Sequence, residues 1–367
     1  MSLSARVAAS VACLAVAACG VASEGPTERE PIGTTRSAII AGSDSDESQD
    51  NVVMLVYLES STRIQLCTAA LLAPNLLLTA RHCISTTDLN VQCAADGNPV
   101  DGGGIGKNHD PKKLFVFTGS KRPDLTKLDK VANAKAQEII DDGATNLCDH
   151  DIALVILDRP LEGLPLASVR LEGNVDRGER LLTVGWGVTD QTPEPATRQQ
   201  RGGIAIARVG PDASQSPVLT PNEFLYGESI CVGDSGGPVF SEESGAVVGV
   251  VSRGGNGSQD PSPAGSCTNA VNISTKTSAF KTLITSAYEK VGAEPKLEVK
   301  PEKDDGCRVA SGPARASSRS PLLLVGLIML GFVWKRPRRI TNRGGADPGL
   351  GAGNGSSSIR RRIQRTP

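Results

Sequence analysis

Aromatic residues and histidine are scarce in this sequence. Phe, Trp and Tyr together make up 3% of 367 residues, and there are three histidines. So few aromatics, beside 40 glycines and 23 prolines, argue against a helical bundle and for many short strands joined by turns. A dominant charge sign is also missing. The formal net charge of −1 gives the whole molecule no bias toward nucleic acid or a membrane surface. No His/Cys cluster has zinc spacing free of a disulfide reading. Gly102 to Lys107 has the wrong gap for a phosphate loop, and Asn108 follows the lysine. The acidic run from Asp44 to Asp50 lacks the glycine of a calcium loop and reads as a solvated loop. No metal, cofactor or nucleic-acid partner is expected.

Apolar runs long enough to span a bilayer with ease are missing as well. Val7 to Ala18, after Arg6, has the length of a signal h-region. It ends in Val16-Ala17-Ala18-Cys19-Gly20, which resembles a bacterial lipobox with Cys19 as the lipidated residue. Ordinary cleavage after Val21-Ala22-Ser23 is the alternative. Near the other end, Pro321 to Trp334 is apolar and is followed by Lys335-Arg336-Pro337-Arg338-Arg339, a cluster that stays on the cytoplasmic side. With Cys307 and a small-residue spacer, this segment resembles the C-terminal sorting tail of myxobacterial surface proteins; a simple membrane anchor is the alternative. The expected divisions are a signal peptide over 1–19, a short propeptide or linker over 20–38 and a globular domain over 39–291. A linker over 292–320, an apolar segment over 321–334 and a basic tail over 335–367 follow. An exported protein is expected, secreted or held at the cell surface or outer membrane by the N-terminal lipid, the C-terminal segment or both.

Within the globular part, short Val/Ile/Leu runs recur between turn residues. They are Val52 to Leu58, Leu76 to Ala80, Leu114 to Thr118, Ile152 to Leu157, Leu181 to Val184, Ile204 to Val209 and Ala246 to Val251. This rhythm predicts an all-β sandwich or barrel. Ser278 to Val291 has helical spacing and predicts one closing helix. Asp96 to Pro111, with its glycine cluster, reads as a surface insertion loop.

One short stretch carries the chemistry. Cys231-Val232-Gly233-Asp234-Ser235-Gly236-Gly237-Pro238 puts three glycines and a proline around one Asp-Ser pair. Glycine costs conformational entropy unless the backbone needs it, so this backbone is shaped to hold Ser235. A serine nucleophile needs a base and a group to orient that base. His109 lies in the glycine-rich loop, and His150 precedes Asp151. His82 sits at a strand end in Thr79-Ala80-Arg81-His82-Cys83, and Asp151 opens Asp151-Ile152-Ala153-Leu154. Gly233 to Gly237 also fits the nucleophile elbow of α/β-hydrolases, but that fold places its His after the Ser, and no histidine follows Ser235. The order His82, Asp151, Ser235 is that of chymotrypsin, not of subtilisin.

On these residues the chain resembles a trypsin/chymotrypsin-family serine protease over residues 39–291. "TARHC", "DIALVIL", "GWG" (Gly185 to Gly187) and "GDSGGPV" occur in the family's order. The resemblance implies two six-stranded antiparallel β-barrels of the chymotrypsin type with a C-terminal helix. It also implies a serine endopeptidase acting on a protein or peptide through an acyl-enzyme. In that scheme His82 is the base, Asp151 its orienting partner and Ser235 the nucleophile, with an oxyanion hole from the N–H groups of Gly233 and Ser235. The alternative is a catalytically silent, protease-like surface binding module. With Cys13, Cys19 and Cys307 set apart, six cysteines remain, for which fifteen pairings are possible. The resemblance implies Cys67–Cys83 and Cys231–Cys267, leaving Cys93 and Cys148 for each other. It places Ser229 at the floor of the specificity pocket, with Ser252, Gly254 and Asn272 on its walls. An uncharged floor implies cleavage after an uncharged residue. Ile39-Ile40-Ala41-Gly42 resembles the family's mature N-terminus, implying an ion pair between the freed ammonium of Ile39 and Asp234, although Ala38 precedes Ile39 where a basic residue is usual.

Overall fold

Strands form where the apolar runs lie, and twelve of them close two barrels. The computed structural model describes residues 39–301 apart from Leu89, Gln259, Pro261 and Pro263. In the first barrel β1 (Val52–Ser60), β2 (Arg63–Ala73), β3 (Leu76–Thr79), β4 (Leu114–Phe117), β5 (Ala134–Ile140) and β6 (Ala153–Leu157) are ordered β1-β2-β3-β6-β5-β4. In the second, β7 (Arg180–Gly185), β8 (Gln199–Val209), β9 (Glu223–Tyr226), β10 (Pro238–Ser241), β11 (Val247–Gly255) and β12 (Val271–Lys276) repeat that topology as β7-β8-β9-β12-β11-β10. All these pairings are antiparallel. This is the chymotrypsin fold. Closure leaves no long unpaired sheet edge around either barrel.

The first five residues of β1, Val52 to Val56, are all buried, so the strand reads as an apolar run without alternation. One face fills the barrel and the other is covered. A single apolar cluster runs from Val53, Leu71 and Val155 of the first barrel to Phe240, Val247 and Val250 of the second. Ile284, Ala287 and Tyr288 join it from the helix Lys281–Val291, at the i, i+3, i+4 spacing of one helix face. The Tyr288 hydroxyl donates to the Leu72 carbonyl at 3.1 Å, and the helix stops at Gly292 in the left-handed conformation.

Several sequence expectations change in detail. β2, β5, β9, β10 and β12 were not marked by the apolar rhythm, because polar residues interrupt them, among them Thr68 in β2, Lys135 and Glu138 in β5, Glu223 in β9, Ser241 in β10 and Asn272 in β12. The Asp96–Pro111 segment is more than a loop: Pro99–Asp101 pairs with Gln92–Cys93, and Ile105–Asn108 with Ser85–Thr87. The closing helix begins with a 3₁₀ turn over Ser278–Phe280. The Asp44–Asp50 run is largely exposed, as a solvated loop is, but with Ser45 buried its inner side forms a cage around one cation. The wholly buried Arg198 side chain donates within it to Ser45 Oγ (2.7 Å), the Asp46 carbonyl (2.7 Å), Asp50 Oδ1 (2.9 Å) and the Val52 carbonyl (2.8 Å).

The domain also continues past Val291. The Val169 and Glu298 amides donate to the Lys296 and Val169 carbonyls, and the buried Arg170 guanidinium is shared between Glu179 and Glu298. The expected signal peptide, Cys19, Cys307, the apolar segment 321–334 and the basic tail lie outside the described residues. No helix among the described residues is long and apolar enough to cross a membrane.

Removing one carboxylate from a buried cation costs more than a surface pair is worth. In the full chain, Glu298→Gln is expected to lower stability by about 1–3 kcal/mol, since Glu179 still partners Arg170. The urea midpoint of unfolding measures it, and an unchanged midpoint would show that the 293–299 strap contributes nothing.

Candidate active site

His82 reaches its place through the end of β3. The chain leaves Thr79, enters a 3₁₀ turn at Arg81–Cys83 and is tied back to β2 by the Cys67–Cys83 disulfide. Asp151 immediately precedes β6, which pairs with β3, so adjacent strands bring the two side chains together. Asp151 is 2% exposed and its oxygens are fully used. Oδ1 accepts from the His82 backbone N–H at 3.0 Å, while Oδ2 pairs with His82 Nδ1 at 2.8 Å and accepts from Ser252 Oγ at 2.6 Å. Burial alone pushes the Asp151 carboxyl up; the charge of His82 and the hydrogen bonds from His82 and Ser252 outweigh it and hold it below its ordinary value. Burial likewise pulls the His82 imidazolium down, and the adjacent Asp151 charge and hydrogen bond overcome that and raise it. An imidazole so held presents Nε2 to the cleft in one orientation and can accept a proton there.

Ser235 comes from the other barrel, on the loop before β10. Gly236 follows it with φ +78°, and a Cβ there would overlap Thr79 Oγ1. Thr68 of β2 crosses the seam between the barrels: its N–H donates to the Ser235 carbonyl (2.8 Å) and its hydroxyl to the Gly233 carbonyl (2.9 Å). With these carbonyls engaged, the N–H groups of Gly233 and Ser235 have no acceptor among the described residues. Ser235 Oγ opens to the cleft with no hydrogen-bond partner among them. Asp234 turns the opposite way, 1% exposed, and accepts from the Gly187 N–H (2.7 Å) and the Cys231 N–H (2.9 Å). Burial pushes its carboxyl up to about 7, against the pull of those two amides. The "GWG" motif has its reason here, since a Cβ on Gly185 or Gly187 would overlap the Asp234 carboxyl group.

His82, Asp151 and Ser235 line one cleft of about 220 Å³ with Ser252, Gly254 and Asn272. Ser229 does not line it. It is wholly buried, hydrogen-bonded to Thr183 Oγ1 at 2.7 Å. Asn272 pairs with Gly254 across the β11–β12 ladder, and its Oδ1 occupies the space a Gly254 side chain would fill. Its amide donates to the Gly227 carbonyl at 2.8 Å, which fixes the side chain across the pocket. The other histidines stand elsewhere: His150 pairs with Asp142 at 2.6 Å, and His109 stacks on Tyr57 with centroids 3.6 Å apart. Disulfides join Cys93 to Cys148 and Cys231 to Cys267. Ile39 is buried at φ +49°. Cys67, His82 and Cys83 group their ligand atoms closely, but both sulfurs are used in the disulfide, so this is no metal centre. Thr68 and Thr183 escaped the sequence reading, since a lone threonine in a strand carries no distinguishing signal.

Comparison with known families agrees with this geometry. The family described as Trypsin matches residues 39–276. The chain belongs to the trypsin family. A Bos taurus protein, suppressor of tumorigenicity 14 protein homolog, is 28% identical over 236 residues, which cover 60% of this chain and 26% of that protein. The cercarial protease of Schistosoma mansoni is 25% identical over 202 residues, 53% of this chain and 72% of its own. The chain thus spans about a quarter of the bovine relative's length. Among trypsin-family features, the Ser252–Asp151 contact lends itself to a direct test. A hydrogen bond to a buried carboxylate is worth about 1.5–3 kcal/mol. Ser252→Ala is therefore expected to lower kcat on a peptide ester by roughly tenfold with little change in KM. An unchanged kcat would show that Ser252 does not support Asp151.

Proposed function

We propose that this chain is an exported serine endopeptidase that cleaves after a small uncharged residue. The observation that carries the reading is the buried Asp151–His82 pair opening onto the cleft that Ser235 lines from the opposite barrel. Ser235 Oγ attacks the carbonyl carbon while His82 Nε2 takes the hydroxyl proton. Asp151 keeps Nδ1 protonated and stabilises the imidazolium that forms. The unengaged N–H groups of Gly233 and Ser235 receive the developing oxyanion, a role in which one donor is typically worth about 2.7–4 kcal/mol. His82 then gives its proton to the leaving amine, and water hydrolyses the acyl-enzyme by the same route in reverse. Asn272 shortens the pocket before Ser229 is reached, so a small side chain fits. Among the described residues lining the cleft the one carboxylate is Asp151, which is taken by His82 and Ser252, and burying a cation unpaired would cost several kcal/mol. Three disulfides support export to an oxidising compartment. The lipid at Cys19 and the 321–334 segment are the proposed attachments to the membrane. Ser235→Ala is expected to remove peptide hydrolysis and fluorophosphonate labelling by several orders of magnitude while the melting temperature stays put. Labelling that survives this substitution would end the proposal.

Activation by cleavage before Ile39 belongs to the same reading. Asp234 is buried with no Lys or Arg side chain in salt-bridge range among the described residues, and Ile39 is packed inside. A freed ammonium at Ile39 supplies the missing cation. The pH dependence follows from the raised carboxyl. In the uncut chain, ionising Asp234 removes stability as the pH rises from the ordinary carboxylate range through about 7. The loss is on the order of 4 kcal/mol and returns on acidification. In the cut chain the ammonium offsets it. The cut form should therefore gain in melting temperature over the uncut form between about pH 5 and pH 8, and Asp234→Asn should erase that gain. Parallel curves for the two forms would exclude the ion pair.

A further inference from the structure

The cleft has a second charged feature that the chemistry at Ser235 does not use. Arg253 follows Ser252 on β11 and lines the cleft, while its guanidinium is anchored from behind by Glu223 of β9. Nη2 donates to Glu223 Oε2 at 3.1 Å and Nη1 donates to Oε1. Glu223 is 1% exposed and Oε2 also accepts from the Thr220 N–H at 3.0 Å. The Arg253 side chain is 22% exposed. The carboxylate is thus the buried end of the pair and the guanidinium the outward end. Glu223 is also within reach of the charge of Lys276, whose buried ammonium donates to the Gly210 and Pro221 carbonyls. Asp149, the other acid near Lys276, is occupied by the backbone and side-chain amides of Asn222. Of these four charges, Arg253 is the one that borders the cleft.

Its position along the cleft follows from the strand. Pairing of β11 with β10 ends at Val250, and the Val251 N–H donates to the Gly237 carbonyl. From Arg253 to Gly255, after a register irregularity at Ser252, β11 is paired with β12 on one side and has no partner strand among the described residues on the other. An extended peptide can add to such an edge, advancing about 3.3 Å per residue. With the residue at the cleaved bond in the pocket beside Gly254 and Asn272, the residues before it run past Arg253. His82 also borders a separate hollow with Tyr57, Gln65 and Thr87, which leaves room for the residues after the cleaved bond.

We infer that Arg253 selects an acidic side chain two to four residues before the cleaved bond, and disfavours Lys or Arg there. The inference rests on the proteolytic reading above. A fixed, partly desolvated guanidinium attracts a carboxylate and repels a cation, and its anchoring by Glu223 removes much of the entropy cost of holding a long side chain in place. Because the site is open to solvent at one side, the preference is modest and weakens with salt.

The test uses the full chain in its fluorophosphonate-reactive form and three peptides identical except for Glu, Gln or Lys at one of these positions. Active-site titration with the probe normalises every rate. For the parent chain, kcat/KM should fall in the order Glu, Gln, Lys, with about fivefold between Glu and Gln at low salt and less at high salt. Arg253→Lys should keep the order. Arg253→Gln, and the neutral pair Arg253→Gln with Glu223→Gln, should flatten it while the variants still label. Equal rates on the Glu and Gln peptides, or a preference that survives in a labelled neutral-pair variant, would overturn the inference. Failure to label and to cleave any peptide would overturn the proteolytic reading and this inference with it.

Discussion

A carboxylate 1% exposed to solvent, with two backbone amides for company and no basic side chain in range among the described residues, constrains everything around Ser235. Asp234 can be buried only where the surrounding backbone offers N–H groups at close range, and only glycine at 185 and 187 leaves room for them to come close. The same turn that points Asp234 inward points Ser235 outward, because successive residues on the tight Gly233–Gly237 loop face opposite ways. Burial of one side chain and exposure of its neighbour are therefore one conformational fact. A charge that is costly to bury makes this loop sensitive to whatever supplies a cation, and Ile39 is already packed in the interior.

The site lies on the seam between two barrels of identical strand order, and its parts come from both. His82 and Asp151 flank the ends of two strands paired in the first barrel, while Ser235 and Ser252 come from the second. Coupling across the seam is polar and specific. Thr68 holds the Ser235 and Gly233 carbonyls, and Ser252 reaches back to Asp151. Beneath these contacts runs the shared apolar cluster that includes Val155 and Val250. Apolar packing sets the barrels side by side without fixing a register between them. The directional hydrogen bonds of Thr68 and Ser252 supply that register.

Residues whose chemistry is rare were legible in the sequence; residues whose chemistry is common were not. Three histidines and one Gly-Asp-Ser-Gly-Gly run leave few arrangements, so His82 and Ser235 stand out from the order of residues alone. Strands with continuous Val, Ile and Leu were visible for the same reason. β2 and β12 were not, because barrel interiors at the seam are filled by Thr, Ser and Ala that look like loop composition. Ser229 illustrates a different limit. Its place in the motif gives its distance along the chain from Ser235, but the fold buries it against Thr183, and Asn272, 43 positions later, lines the cleft instead. The acidic run shows a further limit: its side chains are mostly exposed, as its composition suggests, but nothing local to Asp44–Asp50 announces the arginine it wraps.

The cross-links fall where the ladders cannot hold the chain. Neither barrel is stitched through its own interior by a disulfide, since closed hydrogen-bonded sheets with a common apolar core already resist opening. Cys67–Cys83 instead fastens the turn that carries His82, Cys93–Cys148 fastens the insertion three residues before Asp151, and Cys231–Cys267 joins the Asp234–Ser235 loop to the wall of the cleft. The insertion held by Cys93–Cys148 is largely exposed, so local opening would be cheapest there, whereas the His82 turn held by Cys67–Cys83 is already packed into the core. The Arg198 cage and the Arg170–Glu298 clamp reinforce the two ends of the domain, where the backbone pairing is short: Ser43–Asp44 with Gln199–Gln200, and Val169 with Leu297. Buried charge pairs give little net stability, but breaking one is expensive, so they resist fraying more strongly than an apolar contact of the same area. The disulfides and two of the buried ion networks thus serve loops and termini, while the Arg253–Glu223 pair and Lys276 place buried charge on strands of the second barrel as well.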